Sequence, residues 1–336
     1  MTLRRANLLI VASIATAVAL SAAWHEIHRS KTSDVPPHAV SLSSAPVADV
    51  PIGAAARGPG LPRHAPARRI VSGYTAFTDI LTAIGADARI VAATTHDAET
   101  LGVISVGSHL QPDVEAILSV KPDLVLLASP RPDVAPAIEQ RLTATGATVF
   151  CARPRSVAET LALIETLGQL TDCRPRAERL VADARRTLAA LSNVVNAIAD
   201  AHRPRVFVEV RSAPSLLTAR SDSVTCDMIR LAGGRPVCVD SGKMTPLDIE
   251  TLLKADPDFY IQQVGAMNSH PDNPARHPVI GTLHCLKAGR FAQLDETALS
   301  RPGPHVAEVV VELHGLLLAG WERGTPGNRS ARSAPQ

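Results

Sequence analysis

The sequence PDVEAILSVKPDLVL at residues 112–126 is the best guide to the architecture, because the same pattern returns as LDIETLLKADPDFYI at residues 247–261. The two copies share two acids and a Pro-Asp pair at equal spacing: Asp113, Glu115 and 122–123 in the first, Asp248, Glu250 and 257–258 in the second. Each copy is typical of a short helix that stops at a proline and leads into a buried strand, since proline cannot continue a helix and favours an extended residue before it. Two copies 135 residues apart predict two lobes of like construction.

Short aliphatic runs alternate with amphipathic stretches on both sides of the chain's centre. The predicted strands are 69–72, 90–92, 124–127 and 147–150 in the first half, and 205–210, 236–239, 258–261 and 290–294 in the second. The predicted helices are 78–84, 113–120 and 134–145, then 223–232, 247–255 and 305–319. This alternation favours parallel sheets covered by helices.

A longer helix is predicted between the halves. Apolar residues from Ala177 to Ile198 recur at steps of four and three, the spacing of one helix face, and Pro175 and Pro204 mark its boundaries. A helix of about 25 residues is about 37 Å long, enough to run from one lobe to the other. The alternative is a long core helix inside one domain. The fold class we predict is α/β, with two lobes, each a mostly parallel sheet with flanking helices, bridged by one long α-helix.

The ends of the chain have a different composition from its centre. Arg4 and Arg5 precede an apolar run, Leu8 to Leu20, and small residues follow at 21–23, a pattern typical of an export signal that is either cleaved or kept as an anchor. No Cys lies near Ala23, which argues against a lipoprotein. The predicted organisation is a signal peptide or N-terminal anchor at 1–23, a Pro/Ala/Ser-rich disordered tether at 24–68, an N-terminal α/β lobe at 69–173, an inter-lobe backbone helix at 174–202, a C-terminal α/β lobe at 203–323 and a disordered tail at 324–336.

Charge and motifs exclude several classes of function. The formal net charge is +2, from 34 basic and 32 acidic residues without any run of like charge, so a nucleic-acid partner is not expected. The sequence has no nucleophile elbow, phosphate loop, dinucleotide fingerprint or zinc-protease motif. An exported α/β enzyme of unknown reaction stays open as the alternative to a binding protein.

Five cysteines lie in the exported part, at spacings that fit neither a zinc site nor a haem attachment. In an oxidising compartment a short-range pair such as Cys226 with Cys238 is a candidate disulfide. Because five is odd, at least one thiol stays free or pairs outside the chain. Buried free thiols throughout are the alternative.

The chain resembles the helical-backbone (class III) periplasmic substrate-binding proteins of ABC importers, the family that takes up cobalamin, ferric siderophores and haem. The resemblance is carried, in order, by RIVSGYTAFTDILTAIGADARIVAATT at 69–95, VGSHLQPDVEAILSVKPDLVLLAS at 106–129, ETLALIETLGQLTDC at 159–173, RVFVEV at 205–210, MIRLAGG at 228–234 and LSRPGPHVAEVVVEL at 299–313. It implies two lobes joined by a helix at about 176–201, with a ligand cleft between them. It also implies that Glu115 and Glu250 dock into arginine pockets of the permease; helix capping and complementarity to the helix macrodipole are the other reading of the acidic positions 113, 115, 248 and 250, one that fits the two aspartates better than the two glutamates. The chain departs from the family where Gly73-Tyr74-Thr75 replaces the usual Ser-Pro after the first strand.

Ligand contacts are expected from loops at the carboxyl ends of the strands. The candidates by position are Tyr74, Thr95, His96, Arg131, Arg153, Arg211, Arg220 and His270. His96 could supply a nitrogen, and Tyr74 a phenolate, as an axial metal ligand, although an ordinary polar loop residue is the other reading of His96. The loop at 267–278 is either a ligand cap or a rigid surface loop.

The nature of the ligand follows less directly from the residues. The arginines suit anionic groups, whereas only 3% of the residues are aromatic, so stacking of a macrocycle is not strongly indicated. Cobalamin or a related corrinoid is placed first, ferric siderophore second, haem third, and a bare metal ion last. We expect a ligand that contains Co or Fe and a protein without an intrinsic cofactor. The expected partner is an ABC permease dimer with its ATPase. We expect the protein to be a monomer in the periplasm or another extracytoplasmic location, either soluble or tethered through an uncleaved N-terminal segment.

Overall fold

The structure is a computed structural model that describes residues 42–43, 66–128, 135–240 and 246–322. It divides into two compact units, which we call the N-unit (Pro46–Thr187 with Ser300–Ala307) and the C-unit (Met1–Ala45, Leu188–Leu299 and Glu308–Gln336).

The described elements alternate between strands and helices through most of the chain. The strands are β1 (Leu42–Ser43), β2 (Ile70–Gly73), β3 (Ile90–Ala93), β4 (Ile104–Ser105), β5 (Gly107–Ser108), β6 (Gln111–Pro112), β7 (Leu124–Leu127), β8 (Thr148–Cys151), β9 (Arg205–Arg211), β10 (Leu217–Thr218), β11 (Arg235–Val239), β12 (Phe259–Val264) and β13 (Phe291–Asp295). The helices are α1 (Thr75–Ile84), α2 (Thr95–Leu101), α3 (Val114–Ser119), α4 (Ala135–Thr143), α5 (Val157–Leu170), α6 (Arg174–Val195), α7 (Val224–Leu231), α8 (Ile249–Ala255), α9 (His284–Lys287), α10 (Glu296–Ser300) and α11 (Val306–Glu322).

The N-unit contains a five-stranded sheet in the order β4-β3-β2-β7-β8, with every neighbouring pair parallel. Strands β2 and β7 are buried along their whole length, as expected for a parallel sheet covered on both faces. A separate hairpin of β5 and β6 was not predicted from the sequence.

The C-unit contains a sheet in the order β1-β11-β9-β12-β13, with β10 paired to β9. Strands β11, β9, β12 and β13 are parallel, whereas β1 and β10 pair antiparallel to their neighbours. If the four long parallel strands of each unit are numbered along the chain, both sheets have the order 2-1-3-4. The predicted fold class, lobes of like construction built on parallel sheets, is therefore confirmed.

The repeated Pro-Asp pair ties the third strand of each unit to the first. Asp123 accepts hydrogen bonds from the backbone N–H groups of Arg68 (2.8 Å) and Arg69 (3.0 Å). Asp258 accepts one from the N–H of Arg205 (2.8 Å), the first residue of β9. The Pro-Asp pair thus has a structural role in both units, because each carboxylate fixes the register of two parallel strands.

Helix α6 begins at Arg174 with Pro175 in its first turn, where proline is well tolerated. Its 22 residues make it about 33 Å long. It ends at Val195, six residues before the predicted end, and the guanidinium of Arg203 donates to the carbonyls of Val195 and Ile198, both at 3.4 Å. The division between the two units falls inside this helix, after Thr187.

The packed chain begins slightly before the predicted boundary. Ala67 is buried, and its N–H donates to the carbonyl of Leu170 (3.1 Å). Within the predicted tether, Leu42–Ser43 forms β1 against β11. The predicted signal segment at 1–23 and tail at 324–336 lie outside the described residues. No helix among the described residues is long and apolar enough to cross a membrane.

Candidate functional site

The strand order places a candidate site in each unit. In an open parallel sheet, ligands bind at the carboxyl ends of the strands, where the order of connections reverses. In both units this reversal lies between the first and third long strands, which are β2 and β7 in the N-unit and β9 and β12 in the C-unit. The residues that follow β2 and those at the end of β9 therefore lie at the two candidate sites.

Tyr74 follows β2 directly and is 7% exposed. Its ring packs edge-on against Phe77, with centroids 5.7 Å apart, and tilted against His109 at 5.3 Å. Gly73 before it is required by close packing, because a Cβ there would lie 2.7 Å from the carbonyl oxygen of Leu126. Gly73-Tyr74, which stands where Ser-Pro is usual, thus places an aromatic ring at the carboxyl end of the sheet.

His109 is a residue that the sequence reasoning missed. It lies half-buried at the tip of the hairpin of β5 and β6, and it brings an imidazole beside the Tyr74 ring. The available signal was the turn Gly107-Ser108-His109, in which Gly107 has φ 78°. A phenol and an imidazole in contact offer two aromatic faces and two atoms of metal-ligand type.

A buried hydrogen-bond network lies behind Tyr74. Asp97, 5% exposed, accepts from the hydroxyls of Thr78 (3.0 Å) and Thr94 (2.8 Å) through one carboxylate oxygen. The Thr78 hydroxyl is also 2.8 Å from that of Ser72, whose hydroxyl donates to the carbonyl of Tyr74 (3.3 Å). The network joins β2, α1 and α2 below the aromatic pair.

The other predicted N-unit residues are more exposed. Thr95 and His96 lie in the first turn of α2 after β3, both exposed, and the Thr95 hydroxyl is 3.0 Å from that of Ser105. Arg153 is exposed in the loop after β8. Arg131 lies outside the described residues.

The C-unit site is built around one buried acid, Glu209, near the carboxyl end of β9. One of its carboxylate oxygens accepts from the hydroxyl of Tyr260 (2.5 Å), and the other accepts from the amides of Gln262 (2.9 Å) and Asn268 (3.0 Å). Burial, together with the neighbouring Glu209 carboxylate, raises the pKa of Tyr260, so its phenol stays a donor at neutral pH. The sequence reasoning missed this network, although Glu209 interrupts the apolar run RVFVEV.

Arg211 and Arg220 differ in their partners. Arg220 forms a two-point ion pair with Asp222, at 2.9 and 3.2 Å. Arg211, at the end of β9, donates from Nη2 to the hydroxyl of Ser215 (3.1 Å), and its Nε is buried without a hydrogen-bond partner in the described part of the chain.

The predicted loop at 267–278 is fixed at two points. Asn268 accepts from the N–H and the hydroxyl of Ser212, at 3.1 and 2.9 Å. Farther along, Nδ1 of His277 accepts from the N–H groups of Val279 and Ile280, so this imidazole has a structural role. His270 is exposed between these two points. The described residues contain no group of three or more His, Cys, Asp or Glu that could hold a metal ion.

Glu115 and Glu250 occupy equivalent positions in α3 and α8. Each is exposed in the first turn and follows an aspartate N-cap, Asp113 or Asp248, whose side chain accepts a backbone N–H of that turn. The capping role belongs to the aspartates, which leaves the glutamates without a part in it. Glu115 forms an exposed ion pair with Arg141 (2.6 Å).

All five cysteines are free thiols in the structure. Cys226 and Cys238 are both buried, and their thiols interact with each other. This interaction, together with burial, raises the pKa of Cys226, whereas the same interaction lowers the pKa of Cys238. Burial raises the pKa of Cys285 to about 12. The disulfide between Cys226 and Cys238 stays a prediction.

Comparison with known proteins places these features in a family. A curated relative, the uncharacterized ABC transporter substrate-binding lipoprotein YvrC of Bacillus subtilis, is 25% identical over 250 residues, covering 73% of this chain and 78% of the relative. The cobalamin-binding protein of Halobacterium salinarum is 26% identical over 218 residues, covering 63% of this chain and 57% of that longer protein.

The fold has matches among solved structures. The periplasmic heme-binding protein BhuT, solved in complex with two hemes, is 27% identical with a TM-score of 0.65, covering 76% of this chain and 99% of BhuT. The family described as "periplasmic binding protein" matches residues 70–297, from β2 into α10 and through the candidate sites of both units. This match spans more than half of the chain, and it shows that the chain belongs to the periplasmic binding protein family.

Proposed function

We propose that this chain is the extracytoplasmic substrate-binding component of an ABC importer. The observation that carries the proposal is the repetition, in a periplasmic binding protein, of one helix in both units: α3 and α8 each present an exposed glutamate in the first turn. Two equivalent acids suit docking to two equivalent basic pockets of a permease dimer. YvrC, named as a substrate-binding lipoprotein, supports the same role.

The substrate we propose is a metal-bearing macrocycle, a corrinoid or haem. Relatives named for cobalamin and heme binding support this class. In this chain the support is the Tyr74–His109 pair, because the half-buried His109 adds an aromatic ring beside Tyr74 and the two side chains carry donor atoms that suit Fe or Co. The metal belongs to the cargo, and we assign no intrinsic cofactor to the protein. A ferric siderophore, ranked second on the sequence, has no comparable structural support.

The proposed role is binding without catalysis, since the relatives named above are binding proteins. We place the protein outside the cytoplasmic membrane as a monomer, either released or held by its N-terminal segment.

Visible-spectrum titration of the purified protein with cobalamin, haem and ferric siderophores tests the proposal. We expect saturable one-to-one binding of a corrinoid or haem. His109→Ala and Tyr74→Phe should each weaken that binding, and whichever residue ligates the metal should also shift the absorption bands; His202→Ala serves as the comparison, because His202 is an exposed histidine that is not a candidate ligand contact. Absence of binding to every compound would refute the proposed substrate class.

A further inference from the structure

Among the residues that the structure describes, Arg211 is a cation with no carboxylate partner. Its guanidinium lies partly buried at the carboxyl end of β9, at the candidate site of the C-unit. Within the described residues no carboxylate pairs with it; its Nη2 donates to the neutral hydroxyl of Ser215, and its buried Nε has no acceptor. A partly desolvated guanidinium normally has an acid beside it, as Arg220 has in Asp222.

The acid expected to neutralise Arg211 is already occupied. Glu209 lies two residues earlier on β9, and alternate residues of a strand share a face. Its two carboxylate oxygens accept three hydrogen bonds, all from the neutral groups of Tyr260, Gln262 and Asn268. Because these donors satisfy the carboxylate, Glu209 does not turn towards Arg211.

The same network fixes the backbone beside Arg211. The side-chain oxygen of Asn268 accepts from both the N–H and the hydroxyl of Ser212, while its amide group donates to Glu209. The backbone just after β9 is therefore fixed by hydrogen bonds to the buried network, and the guanidinium of Arg211 is fixed by its hydrogen bond to Ser215. An arginine fixed in this way is preorganised, since less side-chain freedom is lost when a ligand binds.

We propose that Arg211 is the residue that binds an anionic oxygen group of the transported ligand, a carboxylate or a phosphate. A guanidinium presents a planar fork of N–H donors that fits either group with two parallel hydrogen bonds. This inference rests on the proposed function, because it takes a metal macrocycle as the ligand, and it adds that the macrocycle is recognised through its negative charge. Haem carries carboxylates, and cobalamin carries a phosphodiester.

Two matched pairs of ligands test the inference and separate the two sources of charge. Haem is compared with its dimethyl ester, and cobalamin with cobinamide, which lacks the phosphodiester. We expect the wild-type protein to prefer the charged member of one pair by about tenfold or more. Arg211→Gln should abolish that preference by weakening only the charged member, and Arg211→Lys should keep part of it because the charge stays while the fork is lost.

Arg179→Gln is the control, since it makes the same change of charge on an exposed part of α6. It should leave the preference unchanged. An undiminished preference in Arg211→Gln, or equal binding of both members of each pair by the wild type, would overturn the role of Arg211 while leaving the proposed function intact. Failure of the wild type to bind any of the four compounds would instead refute the proposed substrate class, and this inference with it.

Discussion

A single buried carboxylate, that of Asp97, holds three segments of the N-unit together. It accepts hydroxyl hydrogen bonds from Thr78 in α1 and from Thr94 before α2, and Thr78 in turn contacts Ser72 in β2. Removing one partner of such a network leaves the others buried without hydrogen bonds, which costs more than the bonds themselves contribute.

Asp97→Ala should therefore lower the free energy of unfolding by about 1–3 kcal/mol. Glu99→Ala is the matched control, because Glu99 is exposed on the same helix, and its effect should stay within about 0.5 kcal/mol. Chemical denaturation of the two variants measures the difference. Equal stability of both would show that the Asp97 network does not stabilise the unit.

The thiol pair of Cys226 and Cys238 also gives a prediction at the level of residues. The two buried sulfurs share a hydrogen bond, so the geometry already brings α7 and β11 together at this point. In an oxidising compartment we expect them to form a disulfide, which would close a short loop and add about 2–3 kcal/mol of stability. Mass spectrometry of the non-reduced exported protein should find the linked peptide. Complete alkylation of all five cysteines without reductant would contradict the prediction.

In helices α3 and α8, helix capping belongs to the aspartates and not to the glutamates, a distinction that the sequence did not make. The side chain of Asp113 accepts a hydrogen bond from the N–H of Ala116 (3.0 Å), and that of Asp248 accepts one from the N–H of Glu250 (3.3 Å). The two glutamates project into solvent beyond these caps. Their role is then free to be recognition of a partner.

Glu115→Arg combined with Glu250→Arg should abolish uptake while leaving ligand affinity within a few-fold of the wild type. An exposed carboxylate contributes little to folding, so the free energy of unfolding should change by less than about 1 kcal/mol for each site. At a basic permease pocket the same change opposes like charges and can cost several kcal/mol of docking. Uptake assays and ligand titrations measure the two effects.

Glu178→Arg, an equal change of charge on exposed α6, is the control and should leave uptake intact. Normal uptake by the double variant would refute the docking role. Loss of ligand binding would instead move Glu115 and Glu250 into the ligand site.

The elements were more predictable from the sequence than the site. The repeat and the aliphatic runs predicted every long parallel strand to within three residues at each end, because strand burial depends on local composition. The contact of His109 with Tyr74 could not be predicted, since it joins a short hairpin to a distant loop. Glu209 escaped notice because the hydrogen bonds that let it be buried come from residues more than 50 positions away.

For the molecule as a whole, a few backbone hydrogen bonds determine where the folded part of the chain begins. Ala67 donates to Leu170, and the N–H groups of Arg68 and Arg69 donate to the carboxylate of Asp123. The guanidinium of Arg69 also donates to the carbonyl of Val120 (2.6 Å). Arg68 and Arg69 thus join the start of β2 to the Pro-Asp pair, whereas Ala67 joins it to the end of α5.

Two deletions that differ by four residues test where the folded protein begins. Deletion of 24–65 removes β1, a two-residue edge strand whose loss should cost about 1 kcal/mol or less, so melting temperature and ligand affinity should stay nearly unchanged. Deletion of 24–69 also removes the side chain of Arg69, whose guanidinium donates to the carbonyls of Val120 and Lys121, and a hydrogen bond from such a charged donor is worth about 1.5–3 kcal/mol. Its melting temperature should fall clearly below that of the shorter deletion. If the shorter deletion were as destabilising as the longer one, the segment before residue 66 would pack on a unit, and the prediction of a tether there would be wrong.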